Sequence, residues 1–184
     1  MDNSMMTRKP FLQGLGNGLC SVYAVLNAMA IVFPARMTDA MQEELVGVVS
    51  DAFPGDAKSL IRDGAERPEI VSMLNGLARW TQEQDWPHWH YHDLHPIRGE
   101  PSEEFWDAVR AELVIPNTAA VVGFGADSRA GTRYEPHWTC VRRVADTFIE
   151  LRDSTEYKRV PRRDTGVRPE PRWAVEDCFV IARE

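Results

Sequence analysis

The sequence predicts an α+β domain in which helices come first and an antiparallel sheet follows. Three observations lead there. In the first half, apolar residues recur at helical spacing between recognisable start and stop residues. In the second half, short β-rich runs follow one another closely. The 184 residues suit one domain and contain no internal repeat or low-complexity tract. We therefore expect a single unit over residues 1–184, with a helical part over about 12–115 and a sheet part over about 116–184.

Ser21 to Phe33 reads Ser-Val-Tyr-Ala-Val-Leu-Asn-Ala-Met-Ala-Ile-Val-Phe. It is apolar almost all round, which predicts a buried helix, and Pro34 stops it. Thr38 and Asp39 offer an N-cap for a second helix through Leu45, Val46 and Val49, with Gly55 just past its end. Pro68 suits the first turn of a third helix that has Ile70, Met73, Leu74 and Leu77 on one face. Trp89 to Leu94 alternates like a strand. Ser102 can cap a fourth helix whose buried stripe is Phe105, Trp106, Val109 and Leu113.

From here the signals are strands. Thr118 to Phe124 is a short unbroken apolar run, as expected of a strand buried on both faces. His137–Val144 and Thr147–Asp153 are β-rich and separated by very little, which predicts a hairpin. Cys178–Ala182 is a final short strand. Tyr157–Arg172 is basic and broken by prolines, so it reads as loop or edge.

Composition excludes several classes. The six tryptophans and a 43% hydrophobic fraction can build a core, so global disorder is excluded. The formal charge of −7, with no long block of one sign, argues against a nucleic-acid partner, which would require a basic face. Cys20, Cys140 and Cys178 make an odd count without a CxxC pair. A disulfide framework is a poor reading of that set, and a reducing cytoplasm a better one. Met1 to Phe11 has no apolar signal core, which leaves export only by a route that needs no such signal. The apolar run after Cys20 is interrupted by Asn27 and ended by Pro34, too short to span a bilayer, so no membrane partner is expected. Oligomeric state is not legible.

One residue draws chemistry to it. In Gln13-Gly-Leu-Gly-Asn-Gly-Leu-Cys20, a glycine-rich loop runs straight into the buried helix, and the cysteine stands at the junction. A helix N-terminus offers free N–H groups and partial positive charge, both of which favour a thiolate. Glycines let a substrate backbone come close. A cysteine before an apolar helix is ordinarily just a small buried residue. Its companions change that reading. Gln13 could donate its side-chain amide to an oxyanion, beside the N–H of Cys20. His137 opens one hairpin strand and Asp153 closes the next, so antiparallel pairing about residue 145 brings them opposite, or nearly opposite, each other. A carboxylate facing an imidazole fixes its tautomer and stabilises the imidazolium.

Taken together, Gln13 to Cys20 with Tyr23-Ala-Val-Leu-Asn27-Ala, then Pro136-His137-Trp138-Thr139, then Glu150-Leu-Arg-Asp153-Ser154, resemble the papain-like cysteine peptidases. The likeness is greatest to the bacterial group related to the domains that cleave bacteriocin leader peptides. It implies a papain-like fold, with the helical half packed on a C-terminal antiparallel sheet, and implies Cys20, His137, Asp153 and Gln13 as catalytic residues. Here Ser21 follows the cysteine where many members have Gly or Ala, and Cys20 comes seven positions after Gln13, one more than in papain. Asn17 lies closer and could take the oxyanion role, or simply hold the loop. Asn17, Gly18 and Trp138 are the candidate substrate-binding residues. The resemblance does not extend to residues 35–117, roughly.

Other constellations compete less well. His88, His90 and His92 alternate and would face one way on a strand. Neighbours two apart on a strand are ~7 Å apart, too far for three to hold one zinc. We therefore expect no metal and no cofactor, and a solvated or partly buried strand there; a second reading has one of these histidines line the substrate groove. Cys140 and Cys178 lie in strand sequences and read as core. Gly123 to Pro136 lacks the Gly-Lys-Ser/Thr ending of a phosphate loop and reads as a lid or specificity loop beside His137. Arg159, Arg162, Arg163, Arg168 and Arg172 are interspersed with Asp164 and Glu170, as on an ordinary solvated face. The expected function is a hydrolase that cleaves a peptide or isopeptide bond in a protein or peptide substrate through a thioester. The same machinery also serves glutamine deamidases and transglutaminase-like toxins, and a silent binding module could keep the fold.

Overall fold

Apolar on nearly every side, Cys20–Val32 forms helix α1 and is buried along almost its whole length. The structure is a computed structural model that describes residues 19–94, 102–125, 137–153, 158–166 and 173–184. Helix α2, Asp39–Asp51, starts where Thr38 Oγ1 accepts from the Met41 N–H at 3.2 Å, and it buries Leu45 and Val49. Helix α4, Arg67–Glu83, carries Pro68 in its first turn and a reciprocal capping box in which Glu69 accepts from the Glu66 N–H at 3.0 Å. Ile70, Met73, Leu74 and Leu77 form its buried stripe, as expected. Gly76 stands where α4 meets the end of α2. A Cβ there would lie 2.3 Å from that of Ala52.

A short helix that the sequence did not announce, α3, spans Ala57–Asp63. Asp56 Oδ1 caps it by accepting from the Ser59 N–H at 2.7 Å, and Gly64 leaves it at φ 78°. Leu60 is its buried apolar anchor, and one anchor makes no periodicity to read.

Strand β1 is Trp89–Asp93 and helix α5 is Ser102–Leu113. The remaining strands are β2 Thr118–Gly125, β3 His137–Val144, β4 Phe148–Arg152, β5 Arg159–Pro161, β6 Thr165–Gly166 and β7 Trp173–Arg183. A 3-10 turn, Arg162–Asp164, joins β5 to β6. The sheet order is β1-β7-β2-β3-β4-β5, antiparallel throughout, with β6 parallel against β7. The fold is α+β, with helices crowding the N-terminal half and the antiparallel sheet drawn mostly from the C-terminal half. Strand β1 comes from the first half and forms an edge beside β7. The last strand is longer than the expected Cys178–Ala182. Its first residues include Glu176 and Asp177, which hide it from a hydropathy pattern, and pairing with β2 and β6 recruits them.

Central strand β2 is buried at every residue. Its side chains alternate between two cores. Ala119 and Val121 join Met29, Leu45 and Leu74 on the side of α1, α2 and α4. Ala120 and Val122 join Phe105, Trp106 and Val109 of α5 on the other side. Burying each large apolar side chain contributes about 1.5–3 kcal/mol. Among the described residues, no helix is long and apolar enough to cross a membrane.

Candidate active site

Cys20 is the first residue of α1 and only 4% exposed. Leu19 precedes it as the N-cap and supplies no capping side chain. His137 is the first residue of β3, and Asp153 directly follows the last residue of β4. Sheet pairing therefore brings two residues sixteen apart in sequence to one end of a hairpin. His137 Nε2 lies 2.8 Å from Asp153 Oδ2, and the Asp153 side chain is fully buried.

The register that produces this contact is not the symmetric one. Cys140 pairs with Arg152 and Val141 with Leu151, whereas Arg143 pairs with Glu150 and Val144 with Ile149. A bulge between Val141 and Arg143 separates the two halves of the ladder. Continued to the start of β3, the register sets Thr139 opposite Asp153 and leaves His137 diagonal to it on the same face. Had the ladder run on from Val144 and Ile149 without a bulge, Cys140 would stand opposite Asp153. The carboxylate would then belong to the other face. The bulge is thus what gives His137 and Asp153 a common face. Its signal in the sequence is the pair Arg142-Arg143 between Val141 and Val144. Both arginines are exposed and they break the alternation.

Electrostatics follow from the same contacts. Burial works to lower the pKa of His137. Hydrogen bonds to Asp153 and Cys20, with the charges of both groups, overcome that and push it up to about 10. With Nε2 committed to Asp153, Nδ1 is the ring nitrogen left for the sulfur. Burial pushes the Cys140 thiol up to about 12 and raises that of Cys178 as well, so neither is a neutral-pH nucleophile. All three cysteines are free.

Neighbouring residues tie the site to the rest of the fold. Trp138, beside His137, is 6% exposed and donates its indole N–H to the Ala65 carbonyl at 2.6 Å. Its ring stacks on Phe179 at 6.2 Å, and the Arg67 guanidinium sits 5.1 Å over that same ring. Arg67 in turn pairs with Asp93 and, at 2.9 Å, with Asp177. Gly123, opposite Trp138, leaves room for the indole, since a Cβ would come within 3.0 Å of it. Trp138 is thus held in packing at the meeting of α4 and the sheet. Arg152, beside Asp153, donates its Nε–H to Asn27 Oδ1 of α1 at 3.3 Å. Neither Asn27 nor Arg152 was singled out as a site residue from sequence. The available signal was a polar residue in a helix otherwise apolar, seven places after Cys20.

Gln13, Asn17 and Gly18, expected to hold an oxyanion or a substrate backbone, lie outside the described residues, as does the greater part of the Gly123–Pro136 loop. Of the histidine cluster, His88 directly precedes β1 and His90 and His92 lie on it. Trp89 and Tyr91 alternate with it and reach inward, donating to Thr81 Oγ1 and Asn75 Oδ1, each at 2.8 Å. His90 and His92 stack at 6.1 Å and approach Glu184 and Glu112 at 3.7 and 3.6 Å. Among the described residues, no group of three or more His, Cys, Asp or Glu side chains could hold a metal ion. His88 lines a groove of about 470 Å³ between α4 and β1, together with Arg79, Trp86 and Trp89. None of the residues around that groove belongs to the Cys20 site. Compared with known proteins, the chain matches no family model and no curated sequence.

Proposed function

We propose that the chain is a cysteine hydrolase of papain-like fold that cleaves a peptide or isopeptide bond with Cys20, His137 and Asp153. The observation that carries this reading is the 2.8 Å contact between His137 Nε2 and a fully buried Asp153 carboxylate, on a ring that also bonds Cys20 at a helix start. A helix bearing the cysteine against an antiparallel sheet bearing the histidine and the carboxylate supports the papain-like assignment.

His137 Nδ1 takes the Cys20 proton, or the two already stand as an ion pair, with an imidazolium that Asp153 orients and stabilises. The sulfur attacks the carbonyl carbon, forming a C–S bond and an oxyanion. The first-turn N–H of Cys20 faces that charge, with Gln13 as the second donor by resemblance, or the nearer Asn17 in its place. Collapse breaks the C–N bond. The imidazolium proton passes to the leaving amine, and the acyl group remains as a thioester. Water, deprotonated by His137, then attacks the thioester and releases the acid and the thiol. Free thiols suit a reducing compartment, and we place the activity in the cytoplasm.

Iodoacetamide labelling tests the reading. At neutral pH, Cys20 is expected to label far faster than Cys140 or Cys178, and His137→Ala to abolish the advantage. Equal labelling of all three in the wild type would refute it. Intact-mass analysis of a substrate protein then identifies the reaction. Proteolysis divides the chain, whereas glutamine deamidation adds about one dalton to it.

A further inference from the structure

We infer that Asn27 and Arg152 are positioning residues that hold the Cys20 helix in register with Asp153, an inference that rests on Cys20, His137 and Asp153 acting as one catalytic unit. Asn27 lies seven residues after Cys20 on α1, two turns along and on the same face. It is fully buried in a helix otherwise almost wholly apolar. Arg152 is the last residue of β4 and immediately precedes Asp153. The 3.3 Å hydrogen bond from Arg152 Nε to Asn27 Oδ1 therefore joins the element that carries the nucleophile to the strand end that carries the carboxylate.

An amide inside an apolar helix is costly unless it is hydrogen-bonded, and an aliphatic side chain would fill the space without that cost. The amide contributes direction instead. A hydrogen bond restricts distance and angle, which apolar packing does far less. Asp153 has a buried side chain and little freedom, so its carboxylate goes where the backbone beside it goes. Arg152 is that backbone's anchor to α1. The pairing of Arg152 with Cys140 across the ladder places it on the strand face that packs against α1, where its charge also acts on the Cys140 thiol. A shift of about 1 Å between α1 and β4 would leave the sulfur and the imidazole misaligned and cost about a hundredfold in rate.

The test is the pH dependence of Cys20 alkylation by iodoacetamide in the full chain, read by peptide mass spectrometry, with melting temperature measured alongside. Asn27→Ala and Arg152→Gln are each expected to slow alkylation at neutral pH by about ten- to a hundredfold and to move the profile to higher pH. The double variant is expected to add nothing further. Asn27→Asp keeps the oxygen acceptor and is expected to restore the profile. Arg152 is partly exposed, so Arg152→Gln gives the answer even where Asn27→Ala does not fold. Lower melting temperatures with an unmoved profile would overturn the proposal, because support of the fold alone gives that pattern. His137→Ala separates two failures. If it abolishes the profile while Arg152→Gln does not touch it, positioning alone is refuted. If it too leaves the profile in place, the catalytic unit is refuted and positioning with it.

Discussion

His137 and Asp153 stand diagonal in the β3–β4 register, not opposite, and still meet at 2.8 Å. A single bulged residue gives them a common face. The ladder on the turn side of the bulge and the ladder on its far side differ by one place, and one place is what exchanges the two faces of a strand.

That account makes a specific prediction. Deleting Arg142 removes the extra residue and leaves every pairing on both sides intact. Arg142 is exposed, and its 3.6 Å contact with Glu150 is a surface pair worth about 0–1 kcal/mol. The deletion is expected to keep the fold and Cys20 alkylation near wild type. Alkylation reduced to the level of Asp153→Ala would show that the bulge does more than set register.

Asp153→Asn is expected to preserve the shape of the site and lose the anion. A neutral amide cannot stabilise the imidazolium, and its N–H face favours the wrong tautomer. Turnover is expected to fall by about 10³–10⁴-fold, with a much smaller change in melting temperature. Asp153→Ala removes the buried partner altogether and is expected to cost about 3–5 kcal/mol of stability as well. Steady-state rates and thermal melts on the two variants check both halves.

The pH dependence of stability carries the signature of His137. Its proton is held more tightly in the fold, with the pKa raised from 6.5 to about 10. A raised pKa stabilises the folded state fully below the unfolded value and loses that contribution as pH rises through the folded one. Wild-type melting temperature is therefore expected to fall from pH 6.5 to 10 more steeply than that of His137→Gln. Parallel curves would mean that the imidazolium is not held by Asp153 and Cys20.

Trp138→Phe keeps the ring that stacks on Phe179 and removes the N–H that the Ala65 carbonyl accepts. The lost hydrogen bond and the polar group left behind are expected to cost about 1–3 kcal/mol. That corresponds to roughly 2–4 °C per kcal/mol for a chain of this size. If Trp138 instead serves substrate directly, KM rises without that loss of stability, and the two measurements distinguish the roles.

Local chemistry determined the elements. Thr38 as a cap, Pro68 in a first turn and the unbroken apolar run of β2 each report a rule that acts within a few residues. The α+β class, the hairpin and the nearness of His137 to Asp153 were legible for the same reason, since hairpin pairing follows from nearness in sequence. Helix α3 was not legible, because one buried leucine makes no pattern, and the first residues of β7 were masked by Glu176 and Asp177. What the tertiary structure alone decided is how distant pieces meet. The bulge that selects a face, the Ala65 carbonyl that receives Trp138 and the bond from Arg152 to Asn27 each join residues that no local rule connects. Asn27 and Arg152 are 125 residues apart. Their contact exists because α1 packs across the sheet, and packing depends on the whole apolar surface rather than on either residue's neighbours.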